Sequence, residues 1–438
     1  MRKYLLAGAA TLSLAGVSQA AEMQPGQGAI FNTAQPGKAI VRLDTQITVA
    51  LGYGSNTLDK ATVNTAAGAV QVKNNSYGML MYARLYPAFD AQTPGGFRYG
   101  GFAEIRANNN TGGNGLGTAG TPSGVVGTAG QRGTNTLYWN RAFGYVGGDS
   151  WGTVRFGMTD GPANLMKVGT FENFADGGWN GTAPGMTVGL NPWQLPISGG
   201  YEYSSQKIVY LSPSFAGFDL GLSWAPSSAT HQGSDGSLVQ VGGTARQSSS
   251  LLASDWARYT DLFEATARYR GTFGGVGLAI SGSYMGSGSV SNANINAVQN
   301  RGISLFDGGA TVSYAGFTFG GHYSTGTFNG NLNLSRSGEK SAQVWLLGAS
   351  YENGPWTAGV HYLNSTRPGL QGIGGGAQQK EQGFAVGVTY SWAPGVRTFV
   401  ELVNANRVEK GVNLNIGNGG FRDNINGTGV VIAQAFRW

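Results

Sequence analysis

The chain has 438 residues, 75 glycines, no cysteine and a formal net charge of +6, and only 11% of it is charged, against roughly a quarter in ordinary soluble proteins. So few charges exclude a conventional water-facing surface, while an aromatic content of 11% excludes a disordered glycine-rich polymer. The positive residues are scattered and form no basic run, so nothing marks nucleic acid as a partner.

The first twenty residues read as a secretory leader. Arg2 and Lys3 precede the apolar run "YLLAGAATLSLAGV", and "SQA" places Ser18 and Ala20 where a signal peptidase prefers small residues. Residues 1–20 are therefore expected to be removed, leaving 21–438 as the mature chain. Losing Arg2 and Lys3, with no acid, takes +6 to +4. Beyond the leader no stretch approaches the 18 consecutive apolar residues of a spanning helix.

From Val41 the sequence reads "VRLDTQITVALGY", with Val41, Leu43, Ile47, Val49, Leu51 and Tyr53 on one parity and Arg42, Asp44, Gln46 and Thr48 on the other. This is the period of a strand with one apolar and one polar face. "YGMLMYARLYPAFD" (77–90) and "FRYGGFAEIRAN" (97–108) repeat the design. Further strands are expected near 135–148, 150–159, 200–212, 214–226, 260–271, 273–287, 302–314, 315–327, 341–352, 355–366, 381–393, 395–407 and 428–438, which makes sixteen. Short links such as "GTFGG" (271–275) and "APG" (393–395) alternate with long Gly-, Asn-, Ser- and Thr-rich stretches at 107–134, 227–259, 287–301 and 366–380. Short turns at one end and long loops at the other describe an up-and-down barrel.

The polar face decides between a soluble and a lipid-facing barrel. It carries Arg, Glu, Asp, Asn and Gln across the middle of strands, while the other face carries aliphatic and aromatic residues; a lumen keeps the first wet and lipid needs no charge on the second. The last residues, "VVIAQAFRW", keep Val430, Ile432, Phe436 and Trp438 on one face, with Gln434 as a polar exception.

The run "YWNRAFGYVGGDSWGTVRFGMTDG" (138–161), followed by a long loop, resembles the fourth and fifth strands of Gram-negative trimeric porins. "KIVYLSPSFAGFDLGLSW" (207–224) and "YSWAPGVRTFVEL" (390–402) are similar to two further stretches of that family. The resemblance implies an all-β, 16-stranded antiparallel transmembrane β-barrel of the outer membrane whose third external loop folds inward as a constriction. It also implies a homotrimer, contacts with outer-membrane lipid and lipopolysaccharide, and handling of the C-terminal aromatic by the barrel-assembly machinery. Small hydrophilic solutes and ions would diffuse passively through the lumen, with no cofactor. The chain departs from the family in ending on Trp438 where Phe is usual, and in carrying Val209 and Leu211 where charged wall residues are common.

The loop from about Asp160 to Ser198 falls where the family's constriction loop lies, and "TFENFADGGWNG" (170–181) within it holds Glu172 and Asp176. Across the lumen the inward parity supplies Arg42, Arg84, Arg98, Arg106, Arg155, Arg268 and Arg270. Acids on the loop facing arginines on the wall would set a transverse field that sorts ions.

Other signals are weaker. "GLGTAG" (115–120) has the dinucleotide spacing but no helix after it. With His231, His322 and His361 as the only histidines, a zinc site is not expected, and His322 and His361 read as solvated wall residues. An outer-membrane barrel enzyme built on Ser324 and His322 lacks an orienting third group and a nucleophile elbow. A plugged structural barrel and a sugar- or organic-acid-specific channel are the remaining alternatives.

Overall fold

Backbone groups at membrane depth have no water to bond, so strands with two-faced patterning are satisfied only when each has two neighbours and the sheet closes. The computed structural model, which describes residues 34–57, 60–65, 68–73, 75–108, 136–181, 205–227, 259–289, 300–329, 334–369, 378–413 and 421–438, closes in this way. The barrel strands are β1 (Lys38–Asn56), β2 (Tyr77–Gln92), β3 (Arg98–Asn108), β4 (Thr136–Gly148), β5 (Gly152–Met158), β6 (Gln206–Leu211), β7 (Phe218–Ser227) and β8 (Tyr259–Phe273). They continue as β9 (Val276–Ser289), β10 (Ser304–Tyr314), β11 (Phe317–Thr327), β12 (Ala342–Asn353), β13 (Trp356–Pro368), β14 (Gln378–Ala393), β15 (Val396–Glu409) and β16 (Asn424–Arg437). All sixteen follow one another round the ring in sequence order, as expected, and β1 pairs antiparallel with both β2 and β16. At that seam the Thr45 N–H donates to the Trp438 carbonyl at 2.8 Å and the Trp438 N–H donates back at 3.1 Å.

The two faces are inverted relative to a soluble protein. Val41, Met79 and Leu137 point outward and are more than 70% exposed, whereas Thr48 and Glu104 point inward and are buried. Large apolar side chains lie exposed on strand after strand, and such a surface needs hydrocarbon around it. No helix among the described residues is long and apolar enough to cross a membrane; the strands do the crossing. Gln434, the polar exception on the outer face, accepts a hydrogen bond from the Thr398 hydroxyl, which in turn accepts one from the Trp392 indole. Its polarity is thus satisfied within the protein.

Short connections have the geometry that tight hairpins demand. Gly274 and Gly275, between β8 and β9, both have positive φ (57° and 86°), as a two-residue turn matched to strand twist requires. Two features outside the barrel were not expected from sequence: a hairpin of Lys60–Thr65 with Gly68–Lys73, and a two-residue ladder joining Asn300–Arg301 to Ser335–Arg336. The leader, "GLGTAG", His231 and most of the four long connections lie outside the described residues.

Candidate pore constriction

After β5 the chain does not cross directly to β6. Residues 159–181 form a short helix α1 (Pro162–Leu165) and a single 3-10 turn (Gly178–Asn180), and most of them are buried. Proline at the first helical position suits this start, since its missing N–H has no partner there anyway. The segment is hydrogen-bonded to inward-facing side chains of successive strands. The Ala163 N–H donates to Glu264 on β8 at 3.4 Å, the Val168 N–H to Ser281 on β9 at 3.1 Å, and the Val168 carbonyl accepts from His322 on β11 at 2.6 Å. Asn173 donates to Ser350 and Glu352 on β12 (3.1 and 2.9 Å), the Ala175 N–H to Thr389 on β14 (2.8 Å), and the Trp179 N–H to His361 on β13 (3.1 Å). Irregular backbone at this depth is tolerable because the wall satisfies its polar groups.

Lys207, on β6, forms a fully buried pair with Glu264 at 2.8 Å, next to the start of α1. Its inward parity was visible in the sequence; its role as a partner of the loop anchor was not.

The two loop acids sit between anchored residues and keep partial exposure. Glu172 lies 3.6 Å from Lys167, whose ammonium also donates to Asn164 at 3.1 Å. Asp176 accepts from the Tyr82 hydroxyl on β2 at 3.2 Å. A third acid, Glu401 on β15, is fully buried against the backbone of Asp176 and Gly178.

The arginines divide into groups. Arg84 (3.8 Å), Arg106 (2.6 Å) and Arg141 surround the buried carboxylate of Glu104, which also accepts from Asn140 at 3.0 Å. Arg141 reaches on to Asp160, at the root of the loop, at 2.8 Å. Arg155 is buried over the Phe143 ring, with its guanidinium carbon 5.2 Å from the centroid, and Arg42 is half-buried. Arg98 sits beside the turn after β4, 3.1 Å from Asp149. Arg268 and Arg270 flank Asp219 at 3.0 and 2.9 Å near the short-turn end of β7. The structure therefore brings Arg84 and Arg106 together on one carboxylate and places Arg98, Arg268 and Arg270 toward the turn-bearing rim.

Sequence parity missed Arg141 for a definite reason. Asn140 and Arg141 together oppose Glu104, so a β-bulge interrupts the alternation of β4; Trp139 points out and Arg141 points in although both are odd-numbered. Arg397 and Arg437 were also missed. They lie near aromatic rings of the inner wall, Phe399 and Tyr86, at 5.8 and 6.0 Å, and their parity, opposite the outward Val400 on β15 and Ile432 and Phe436 on β16, could have found them.

The histidines correct the expectation of solvated wall residues: His322 and His361 are 3% and 1% exposed, because the loop lies over them. Asp307 supplies the third group that sequence did not find beside Ser324 and His322, but in the wrong arrangement. The Ser324 hydroxyl donates to Asp307 (3.0 Å), not to the histidine, and the two His322 nitrogens are occupied by Asp307 (2.8 Å) and the Val168 carbonyl. No three His, Asp or Glu side chains among the described residues converge on a metal position.

A closed sixteen-stranded barrel, apolar outside and lined with arginine and acid, sets the frame for comparison. Residues 6–409 match the sequence profile described as Gram-negative porin. The chain belongs to the Gram-negative porin family. No curated protein matches it at the level of sequence. Among solved structures, it is similar in fold to the anion-selective porin from Comamonas acidovorans (14% identity, TM-score 0.55, covering 92% of this chain and 100% of that one). It is also similar to the outer membrane channel DcaP of Acinetobacter baumannii (13%, 0.54, 93% and 100%) and to the trimer form of the Vibrio cholerae outer membrane protein OmpT (11%, 0.51, 91% and 99%). The porin is thus an outer-membrane β-barrel channel, and its family and fold are those of a channel rather than an enzyme.

Proposed function

We propose that residues 159–181 form the constriction of this porin, with Glu172 and Asp176 on its lumen side and Arg42, Arg84, Arg106, Arg141 and Arg155 on the facing wall. The observation that carries this is the Tyr82–Asp176 hydrogen bond: the segment, anchored on β8 to β14, touches β2 on the other side of the seam, which supports a course through the lumen. Opposed charges across a narrow, low-dielectric passage make a transverse field that discriminates between ions and orients dipolar solutes. Five arginines (42, 84, 106, 141 and 155) stand against four acids, Glu104 on the wall, Asp160 at the loop root and Glu172 and Asp176 on the loop, an excess of positive charge that favours anions.

Neutralising the loop acids tests this. Glu172→Gln with Asp176→Asn shifts the reversal potential in a salt gradient further toward anions while the barrel stays folded; an unchanged reversal potential refutes the assignment. Arg98, Arg268 and Arg270 belong to the basic lining at the turn-bearing rim and contribute less to selectivity.

The protein is proposed to work as a homotrimer after removal of residues 1–20, with Trp438 read by the assembly machinery and lipopolysaccharide in contact with its outer face. It carries no enzymatic activity in this proposal. The buried Ser324–Asp307–His322 cluster leaves no histidine nitrogen to accept the serine proton, and an ester-hydrolysis assay of the purified protein should give no turnover.

A further inference from the structure

The loop meets the wall through a repeated device that hydrogen bonds alone do not describe. Several bulky loop side chains meet the wall over an inward-facing glycine. A methyl group built on Gly221 of β7 would come within 2.5 Å of Pro162 and 2.9 Å of the Met166 sulfur. One on Gly348 of β12 would come within 2.5 Å of the Phe171 ring, and one on Gly359 of β13 within 2.0 Å of the Phe174 ring. On β14, a methyl group on Gly387 would come within 2.7 Å of Ala175 and 3.1 Å of the Phe174 ring, and one on Gly383 within 2.8 Å of the Trp179 ring and 2.1 Å of the Asn404 carbonyl on β15, so that this glycine is required by the wall as well as by the loop. Contacts under about 3 Å cannot exist, so each socket needs the absent side chain.

The polar wall residues that bond the loop backbone, Ser281, His322, His361 and Thr389, lie on β9, β11, β13 and β14 among these sockets. His361 serves both functions. It accepts from the Trp179 N–H, stacks on the Trp179 ring (6.4 Å, 3°) and meets the Phe174 ring edge-on (5.3 Å, 65°). Phe174 and Trp179 are 0% and 1% exposed, so they carry no solute contact themselves. They bracket Asp176, and Phe171 and Phe174 bracket Glu172.

We infer that Phe171, Phe174 and Trp179 are positioning residues, keyed into glycine sockets on β12, β13 and β14, and that this keying fixes where Glu172 and Asp176 stand in the lumen. The inference rests on the constriction assigned above. It makes ion selectivity depend on residues that never touch an ion, because moving a key moves the charges beside it.

Single-channel recording in planar bilayers tests it. Gly359→Leu fills the Phe174 socket from the wall side and displaces the loop into the lumen, lowering conductance roughly two-fold as the narrowest section shrinks and shifting the reversal potential. Phe174→Ala empties the socket and raises open-channel noise. The double variant Gly359→Leu with Phe174→Ala refills the space with one side chain and returns both readings toward the parent, a coupling that two independent structural defects do not show. Trp179→Phe, which keeps a ring over Gly383, conducts like the parent, whereas Trp179→Ala does not. Where Gly359→Leu fails to fold, Gly359→Ala, alone and with Phe174→Ala, gives the same reading on the same socket. Parental conductance and selectivity in Gly359→Ala, Phe174→Ala and Trp179→Ala overturn the keying. If those variants are silent while Glu172→Gln with Asp176→Asn still shifts the reversal potential, the keying fails and the constriction stands; if both are silent, both fail.

Discussion

Glu104 is the residue on which the basic wall is centred. Its carboxylate is fully buried and neutralises part of Arg84, Arg106 and Arg141 at once. Removing one partner of a buried ionic cluster leaves like charges facing each other, with a cost of 3 to 5 kcal/mol in dry sites. Here Arg84 and Arg106 are 23% and 20% exposed and can rehydrate in the lumen, so the expected cost of Glu104→Gln is near the low end, about 3 kcal/mol. The variant should unfold at lower temperature and, with the wall more positive, prefer anions more strongly. Thermal unfolding followed by circular dichroism and a reversal-potential measurement check the two effects separately. A more anion-selective channel with unchanged stability would mean that water, not Glu104, already screens the arginines.

At the level of the strand, β4 offers a contrast between two single-residue deletions. Because Asn140 and Arg141 share one partner, Glu104, deleting Asn140 restores a regular ladder with Trp139 still outward and Arg141 still inward. The expected loss is one hydrogen bond to the Glu104 carboxylate, about 1.5 kcal/mol, the low end for a charged acceptor because three arginines still hold it. Deleting Ala142 instead consumes the bulge by turning Arg141 toward lipid, at about 2–4 kcal/mol for a cation at mid-depth. Refolding into lipid vesicles, scored by protection from protease, should give a near-parental yield for the first deletion and a much reduced one for the second. The bulge also marks how far sequence could be read. Alternation in segments such as "VRLDTQITVALGY" revealed the strands and their faces because every second residue reports the same environment. A bulge carries no signature within that period, so Arg141 passed unnoticed. The loop's path was hidden for a different reason: its sockets, Gly348, Gly359 and Gly383, come from three strands far along the chain, and a glycine in a strand does not announce which ring will lie on it. The burial of His322 and His361 follows from that same path.

For the whole channel, the field in the lumen comes from fixed charges on the wall and the loop, and mobile ions screen it. The Debye length falls from about 10 Å at 0.1 M salt to about 3 Å at 1 M, so the anion-to-cation permeability ratio should decline as salt rises between those limits. Reversal potentials taken at a constant concentration ratio and increasing absolute concentration measure this; a ratio independent of salt would assign selectivity to size instead. Conductance per unit of bulk conductivity should fall in parallel, since counter-ion enrichment near the arginines fades.

The seam between β1 and β16 carries a consequence for biogenesis. Thr45 and Trp438 are far apart in the sequence yet share two hydrogen bonds, so the ring is completed only when β16 reaches β1. A polypeptide released early, even one lacking nothing but β16, keeps two raw sheet edges that can neither enter hydrocarbon nor stay solitary in water. Closure therefore acts as a test for the presence of β16: products terminated before it fail and remain available to proteases.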